Sequence, residues 1–342
     1  MDSAGDLTAA VKSLAVKAGF ARVGIAQAGE VRGRKAFRHW LEAGYNGRMD
    51  YLARNLEKRF RPELLAAGTR SVICLAVSYA PAASPPPESA GFVARYARGR
   101  DYHDILKRRC RNLMRSIAGI APDFVARAFV DSAPVAERSL AAAAGLGWIG
   151  RNGCLLCPGL GSYVVLAEIV CNLPLVADAP LEAGCGDCHA CVDACPAGAL
   201  LDDGLMDARR CLSYLSIEHR GCVEPELWPL WGGRLFGCDR CQEVCPHNRD
   251  VQPGDDELLG DALGDVSIAD VLNWSRGDWD AATRGSAMRR ATFEMFLRNA
   301  IIVAGNSPDA SLRDVLKSLR RRHPQFRDIL DRAIGRAAND GV

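Results

Sequence analysis

The chain has 342 residues, 25% of them charged and 49% hydrophobic, with a net charge of +2, a globular balance that excludes a disordered or fibrous protein and suggests two or three domains. The longest apolar stretch, residues 162–181, is broken by Glu168, Asn172, Pro174 and Asp178 and falls short of the ~18 clean residues a spanning helix needs, so no membrane passage is expected. The start, Met1-Asp2-Ser3-Ala4-Gly5-Asp6, is acidic where a secretory leader would be basic; a cytoplasmic location is expected, where 14 cysteines read as thiols or metal ligands in preference to disulfides.

In chain order, Leu7, Val11, Leu14, Ala15 and Ala18 share one helical face, and Gly19 closes it. A strand is expected over 21–26, helices over 34–43 and 49–58, and a buried strand over 71–79 (SVICLAVSY). The run Ser84-Pro85-Pro86-Pro87 reads as a surface loop. A helix over 101–117, a strand over 124–130, a helix over 135–144 and a strand over 163–170 follow, so the first part of the chain reads as one α/β domain. Residues 178–260 hold nine cysteines and few periodic segments, which suggests a fold organised by metal. At the end, Phe293, Phe296, Leu297, Ala300, Ile301 and Ala304 mark one helix face, Leu312, Val315, Leu316 and Leu319 a second, and Phe326, Ile329, Leu330, Ala333 and Ile334 a third. Such a short helical array has to lean on the domain before it.

Charge is uneven along the chain. Residues 1–61 carry 12 Lys and Arg against 6 Asp and Glu, residues 178–270 carry 6 against 19, and residues 284–342 again 12 against 6. Two basic ends flank an acidic middle, and basic surface attracts polyanions even when the whole chain is near neutral. Arg320-Arg321-Arg322 is the most concentrated basic run; a solvated helix end that favours cations explains it equally well.

The cysteines carry the strongest signal. Cys185-x2-Cys188-x2-Cys191-x3-Cys195-Pro196 is the bacterial ferredoxin run, in which three thiolates hold one iron–sulfur cluster and the fourth reaches a different one. A second copy, Cys238-x2-Cys241-x3-Cys245-Pro246, lacks its first ligand. By the cross-over rule Cys245 completes the set of Cys185, Cys188 and Cys191, while Cys195, Cys238 and Cys241 need one more thiolate, for which Cys211, on a helix expected over 208–218, and Cys222 are the candidates. Zinc is the rival metal for paired CxxC units, but the two Cys-Pro endings favour two [4Fe-4S] clusters. Cys74 and Cys110 read as core packing, and Cys154-x2-Cys157 has redox-pair spacing without the thioredoxin context. Gly145-x-Gly147-x-x-Gly150 matches the dinucleotide fingerprint as text, yet a helix precedes it and strand follows, the reverse of what that site needs. Asp101-x-His103 begins like a cobalamin Asp-x-His-x-x-Gly motif, but Leu106 stands where Gly is required, so a cobalt-ligating histidine is not supported.

The segments Phe129-Val130-Asp131-Ser132-Ala133-Pro134-Val135-Ala136-Glu137-Arg138, Gly145-Leu146-Gly147-Trp148-Ile149-Gly150-Arg151-Asn152, the Cys185 run, Cys211-Leu212-Ser213-Tyr214-Leu215-Ser216-Ile217-Glu218 and Cys238 to Asn248 resemble the epoxyqueuosine reductases in order and spacing over most of the chain. The resemblance implies a cobalamin-dependent enzyme with two [4Fe-4S] clusters that reduces the epoxide of epoxyqueuosine in the tRNA anticodon loop to an alkene, the last step of queuosine synthesis. It implies a multidomain α/β (α+β) fold: a nitroreductase-like cobalamin domain over 1–176, a ferredoxin-like two-cluster domain over 177–260 and a short C-terminal HEAT-like array over 261–342. It makes Asp131 the proton donor, assigns Arg54, Asp131, Arg151, Asn152 and Ser213 to the cobalamin site, and selects Cys211 as the missing cluster ligand. The expected partners are a tRNA anticodon stem-loop and a low-potential electron donor, with the protein a monomer. The tail is short for the family.

The chemistry fits the residues. Removing an epoxide oxygen takes two electrons and two protons, and an acid beside the departing alkoxide accelerates the step by typically 10² to 10⁴-fold. Asp131, at the end of an expected strand among small and apolar residues, suits that role, and burial is expected to keep its proton on near neutral pH. The competing expectation is that Asp131 caps the helix starting near Pro134. A ferredoxin-like electron carrier with a structural α/β domain, and a zinc-organised nucleic-acid-binding protein, are the rival classes; the first needs no corrinoid and the second would be colourless.

Overall fold

The computed structural model describes residues 4–80, 91–202, 204–259 and 266–339, so the Pro-rich loop expected at 84–87 lies outside the described residues. Its N-terminal half runs α1 (Ala4–Lys17), β1 (Arg22–Gln27), α2 (Arg34–Glu42), α3 (Leu56–Phe60), β2 (Ser71–Ser78), β3 (Phe92–Val93), α4 (Tyr102–Ala118), β4 (Ala126–Phe129), α5 (Glu137–Ala143), β5 (Trp148–Ile149), β6 (Leu155–Leu156) and β7 (Val164–Cys171). Four strands form an antiparallel sheet in the order β1-β2-β7-β4. Because side chains alternate along a strand, its two faces take different partners. Ile25, Ile73, Leu75, Ala167 and Ile169 pack on Val11 and Ala15 of α1 and Ile105, Leu106 and Leu113 of α4. Val72, Cys74, Ala76, Phe129, Leu166 and Val170 pack on Leu140 and Ala141 of α5. With both faces covered, β2 is buried at every position, which is why its sequence reads as a continuous apolar run.

The second half runs α6 (Ala190–Asp193), α7 (Leu212–Ile217), β8 (Arg234–Phe236), α8 (Arg240–Glu243), α9 (Asp256–Leu259), α10 (Ile268–Asn273), α11 (Arg276–Thr283), α12 (Phe293–Gly305), α13 (Ala310–Arg322) and α14 (Arg327–Asn339). α12 is its hub, touching α7, β8, α10, α13 and α14. One apolar core runs from Leu212, Trp228, Trp231 and Phe236 through Phe296 and Ile301 to Leu316, Leu330 and Ala333, and takes in Trp40, Val93 and Ala97 from the first half. The two halves are also joined by main chain, since β3 pairs in parallel with β8. Among the described residues no helix is long and apolar enough to cross a membrane.

Two expected helices are shorter in the structure. The one over 49–58 splits into a single turn at Asp50–Leu52 and α3, because Asn55 takes a left-handed conformation (φ 54°) that a right-handed helix cannot contain. The one over 208–218, on which Cys211 was expected to sit, begins at Leu212; Cys211 is extended (φ −67°, ψ 118°), since Asp207 ties the main chain of Arg209 into a turn just before it. The glycine-rich segment behaves as its order suggests: α5 leads into the β5–β6 hairpin, where a Cβ on Gly147 would lie 2.1 Å from the Leu156 carbonyl oxygen.

Candidate functional site

The cysteine runs fold as two short loop-and-helix units, α6 and α8, packed against each other. In the first, left-handed Gly186 (φ 52°) turns the chain so that Cys185, Cys188 and Cys191 come together. In the second, Pro246 starts a new turn directly after extended Cys245 and sends that thiol back toward the first unit. Cys185, Cys188, Cys191 and Cys245 line one cavity, with Arg151, Asn152, Leu156, Pro246 and His247 around it. Cys195, Cys211, Cys238 and Cys241 lie outside that cavity. Burial pushes the Cys211 thiol up to about 11, with Cys238 and Cys195 adding to the effect. Cys241 is raised further still by burial, then by Cys154, Cys238 and Cys211 in turn.

The surroundings of these sulfurs suit thiolates. Cys195 Sγ accepts the Ala199 N–H at 3.2 Å, and Cys238 Sγ accepts Arg234 Nε–H at 3.1 Å, the kind of donor that tunes an iron–sulfur centre. Asp239, between Cys238 and Cys241, is fixed by buried Arg95, whose main-chain N–H and Nη1 both donate to it, at 2.8 and 2.9 Å. Among the described residues no three His, Cys, Asp or Glu side chains are drawn in closely enough to chelate a single ion. The four thiols that share one cavity match in number what a [4Fe-4S] cluster takes, one cysteine to each iron. Cys222 is exposed. Cys154 and Cys157 are free thiols lifted to about 11 by burial.

Asp131 lies elsewhere, just past β4, and its setting corrects the expectation drawn from sequence. It does not cap α5, whose N-cap residue is Ala136. Its side chain is 56% exposed and is aimed at α4: Tyr102 Oη–H donates to Asp131 Oδ2 at 2.7 Å, and His103 Nε2 stands 3.3 Å from the same oxygen. The hydrogen bond from His103 outweighs burial and, with that from Tyr102, holds the Asp131 carboxyl below its ordinary value, whereas burial was expected to raise it. These contacts favour the proton on the histidine instead. Burial alone would depress His103, but its bonds to Asp101 at 2.7 Å and to Asp131 lift it to about 9. The Asp131–His103 pair therefore carries one proton at neutral pH. The reading from sequence set His103 aside as a cobalt ligand; the signal that it held was its place at the start of α4, beside the N-cap residue Asp101. Tyr51, Tyr96, Glu218 and Arg290 complete the surroundings. Arg290 forms a double hydrogen bond with Glu218 at 2.7 and 2.9 Å, its guanidinium lies 5.5 Å from the centre of the Tyr51 ring, and its charge helps to keep Asp131 ionised.

The remaining nominated residues differ in what they offer a large amide-rimmed ligand. Arg54 is exposed and Ser213 half-buried, and both have polar side chains to give. Asn152 is buried and already spends its amide within the protein, donating to the Cys241 carbonyl at 3.4 Å and accepting the Cys154 N–H at 3.1 Å. Arg151 donates to the Gly186 carbonyl at 3.0 Å and so belongs to the wall of the first thiol cavity.

Known proteins resemble this chain along nearly its whole length. Residues 59–132 match the family described as epoxyqueuosine reductase QueG, DUF1730, and residues 184–248 match the 4Fe-4S double cluster binding domain. The epoxyqueuosine reductase of Pseudomonas aeruginosa is 42% identical over 326 residues, 92% of this chain and 89% of that one. The Escherichia coli protein of the same name is 38% identical, covering 92% and 85%. A crystal structure of epoxyqueuosine reductase with an epoxyqueuosine-modified tRNA-Tyr stem loop superimposes with a TM-score of 0.86 at 28% identity, over 98% of this chain and 91% of that one. The Bacillus subtilis enzyme, described with its catalytic aspartate loop swung out of the active site, gives 0.84 at 27%, over 98% and 90%.

Proposed function

The chain belongs to the epoxyqueuosine reductase family, and from that premise we propose how its own residues carry out the reaction. It is an oxidoreductase that reduces epoxyqueuosine in tRNA to queuosine. The balance is one epoxide, two electrons and two protons giving one alkene and one water: both carbon–oxygen bonds break and the carbon–carbon double bond forms.

Cys185, Cys188, Cys191 and Cys245 hold one [4Fe-4S] cluster, and Cys195, Cys211, Cys238 and Cys241 the other, the division that the shared cavity and the mutual influence of the buried thiols support. Arg54 and Ser213 would hold a corrinoid through their polar side chains, and Asn152 and Arg151 would act through the loop they fix more than through free side chains. When bound, these groups supply low-potential electrons, two for each epoxide. The protein's part is the proton. Asp131 faces the opening oxygen; His103, protonated up to about pH 9, keeps the pair charged with a proton, and Tyr102 Oη orients the carboxylate. Once the oxygen is an alkoxide, its basicity draws one proton through Asp131 from His103, with Asp101 compensating the imidazolium until then, and the second proton, taken up by the pair from solvent, follows the same route as the oxygen leaves as water. Tyr51 and Arg290, at the same mouth, offer a ring and a cation to a nucleobase and its phosphate.

The working domain limits remain 1–176, 177–260 and 261–342, the first nitroreductase-like, the second ferredoxin-like and the last a short HEAT-like array. The protein acts as a cytoplasmic monomer fed by a low-potential donor.

The observation that carries this reading is the meeting of two four-thiol sets and a proton-loaded Asp131–His103 pair in one chain. Its test is anaerobic purification with iron, sulfide and cobalt measured together, followed by single-turnover conversion of an epoxyqueuosine stem-loop under chemical reduction. The expected result is two clusters, one corrinoid, and product lighter by one oxygen atom. A chain loaded with clusters that binds no corrinoid and leaves the epoxide intact overturns it.

A further inference from the structure

Glu168 is an anomaly in the central sheet. It lies on β7 opposite Cys74 of β2 and Phe129 of β4, is fully buried, and neither carboxylate oxygen meets a hydrogen-bond partner in good geometry. A charged carboxylate so placed is strongly disfavoured, which makes Glu168 a neutral acid. Apart from burial, the largest influence on it is Glu137, the first residue of α5, the helix that covers the same face of the sheet. Burial, then the charge of Asp131, pushes Glu137 itself up to about 7.

What Glu137 does with its carboxylate is plain from the geometry. Glu137 Oε1 accepts the main-chain N–H of Asp131 at 2.6 Å. Asp131 sits at φ 53°, one of three non-glycine residues with positive φ among the described ones. That conformation is unfavourable for a residue with a Cβ and persists only where the surroundings fix it. In the segment between β4 and α5, Ser132 N–H and Oγ both turn back to the Val130 carbonyl, the Ala136 N–H donates to the Arg59 carbonyl at 2.8 Å and the Asp131 side chain meets Tyr102 and His103, while the Glu137 carboxylate holds the Asp131 main chain itself.

We propose that Glu137 is a positioning residue for the reduction, a latch that holds Asp131 in its left-handed conformation. This rests on Asp131 being the residue that passes the proton.

The experiment uses holoenzyme with both clusters and corrinoid quantified. Amide hydrogen exchange is followed over residues 130–133, and single-turnover reduction of an epoxyqueuosine stem-loop is measured in parallel. Glu137→Ala is expected to speed exchange at Asp131 at least tenfold and slow turnover at least tenfold, with iron, corrinoid and stem-loop affinity unchanged. Glu137→Gln, which keeps an acceptor oxygen at the same reach, is expected to restore both. Glu137→Asp, too short to reach, is expected to behave like the alanine variant and serves if that variant folds poorly. Wild-type exchange in Glu137→Ala, or a glutamine variant as impaired as the alanine one, overturns the latch. Faster exchange with unchanged turnover overturns the positioning role alone if Asp131→Asn is inactive, and the Asp131 reading with it if Asp131→Asn is fully active.

Discussion

Replacing Asp131 by Asn keeps the size of the side chain and removes the charge that His103 faces. In the intact protein His103 moves from an ordinary 6.5 to about 9; at about 1.4 kcal/mol per pH unit this sets a ceiling of about 3 kcal/mol on the interaction. Part of that belongs to Asp101, and the Asp131 side chain is 56% exposed, so solvent screening leaves roughly 1–2 kcal/mol for the Asp131 contact. The sign follows from linkage. A histidine whose pKa is raised by folding stabilises the protein fully below 6.5 and loses that contribution as the pH climbs through 9. Asp131, whose pKa is lowered, contributes above the ordinary carboxylate range and loses it in acid. The stability difference between wild type and Asp131→Asn should therefore be largest near pH 5–6, decline from about pH 6.5 upward and be gone by about pH 10. The assay is equilibrium denaturant unfolding under nitrogen across that range, with single-turnover reduction on the same samples, where a loss on the order of 10²-fold at pH 7 is expected. A stability difference that stays constant with pH, or near-normal turnover in fully loaded Asp131→Asn, would refute the shared-proton argument.

Three further outcomes are expected. Cys211→Ala should lose the iron of one cluster and Cys222→Ala none, read by anaerobic iron analysis and EPR; full iron in Cys211→Ala removes it from the second set. Gly147→Ala drives a Cβ into the Leu156 carbonyl, 2.1 Å away, and should cost about 2 kcal/mol or more while loosening the loop that carries Arg151 and Asn152; unfolding curves check it, and an unchanged midpoint counts against the tight hairpin. Replacing Arg320, Arg321 and Arg322 by Ala should weaken stem-loop binding and flatten its salt dependence, but by fewer than three phosphates' worth, because Arg320 is paired with Asp331 and Arg322 with Asn273. Titrations at two salt concentrations measure it, and an unchanged slope takes this run out of the interface.

The parts of the fold that sequence revealed are those written locally. α1, α4 and α12 announce themselves by apolar spacing, and β2 by an unbroken apolar run, because each buries a face that repeats along its own length. That Cys245 meets Cys185, Cys188 and Cys191 around one cavity was also readable, since its Cys-Pro ending sends that sulfur across to the first run. What stayed hidden was tertiary. The state of Asp131 was misread because its protonation is set by Tyr102 and His103, 29 and 28 residues earlier in the chain, which only the packing of α4 against the sheet brings to it. Glu168 read as a polar break in an apolar stretch; nothing in its neighbours along the chain says that it is wholly buried beside a second carboxyl.

The parallel pairing of Phe92–Val93 with Arg234–Phe236, reinforced by Arg95 on Asp239, bears on how the protein is made in a cell. On a ribosome adding about 5–20 residues each second, the early strand waits roughly ten to thirty seconds for its partner to be synthesised. During that interval Trp40, Val93 and Ala97 have no core to enter, and the thiols at 185–195 emerge before those at 238–245 that complete their sets. Cluster delivery and final folding are thus forced into the same late moment of biogenesis. Starvation for iron should consequently appear first as nascent chains held by chaperones or degraded, ahead of any pool of folded protein lacking clusters.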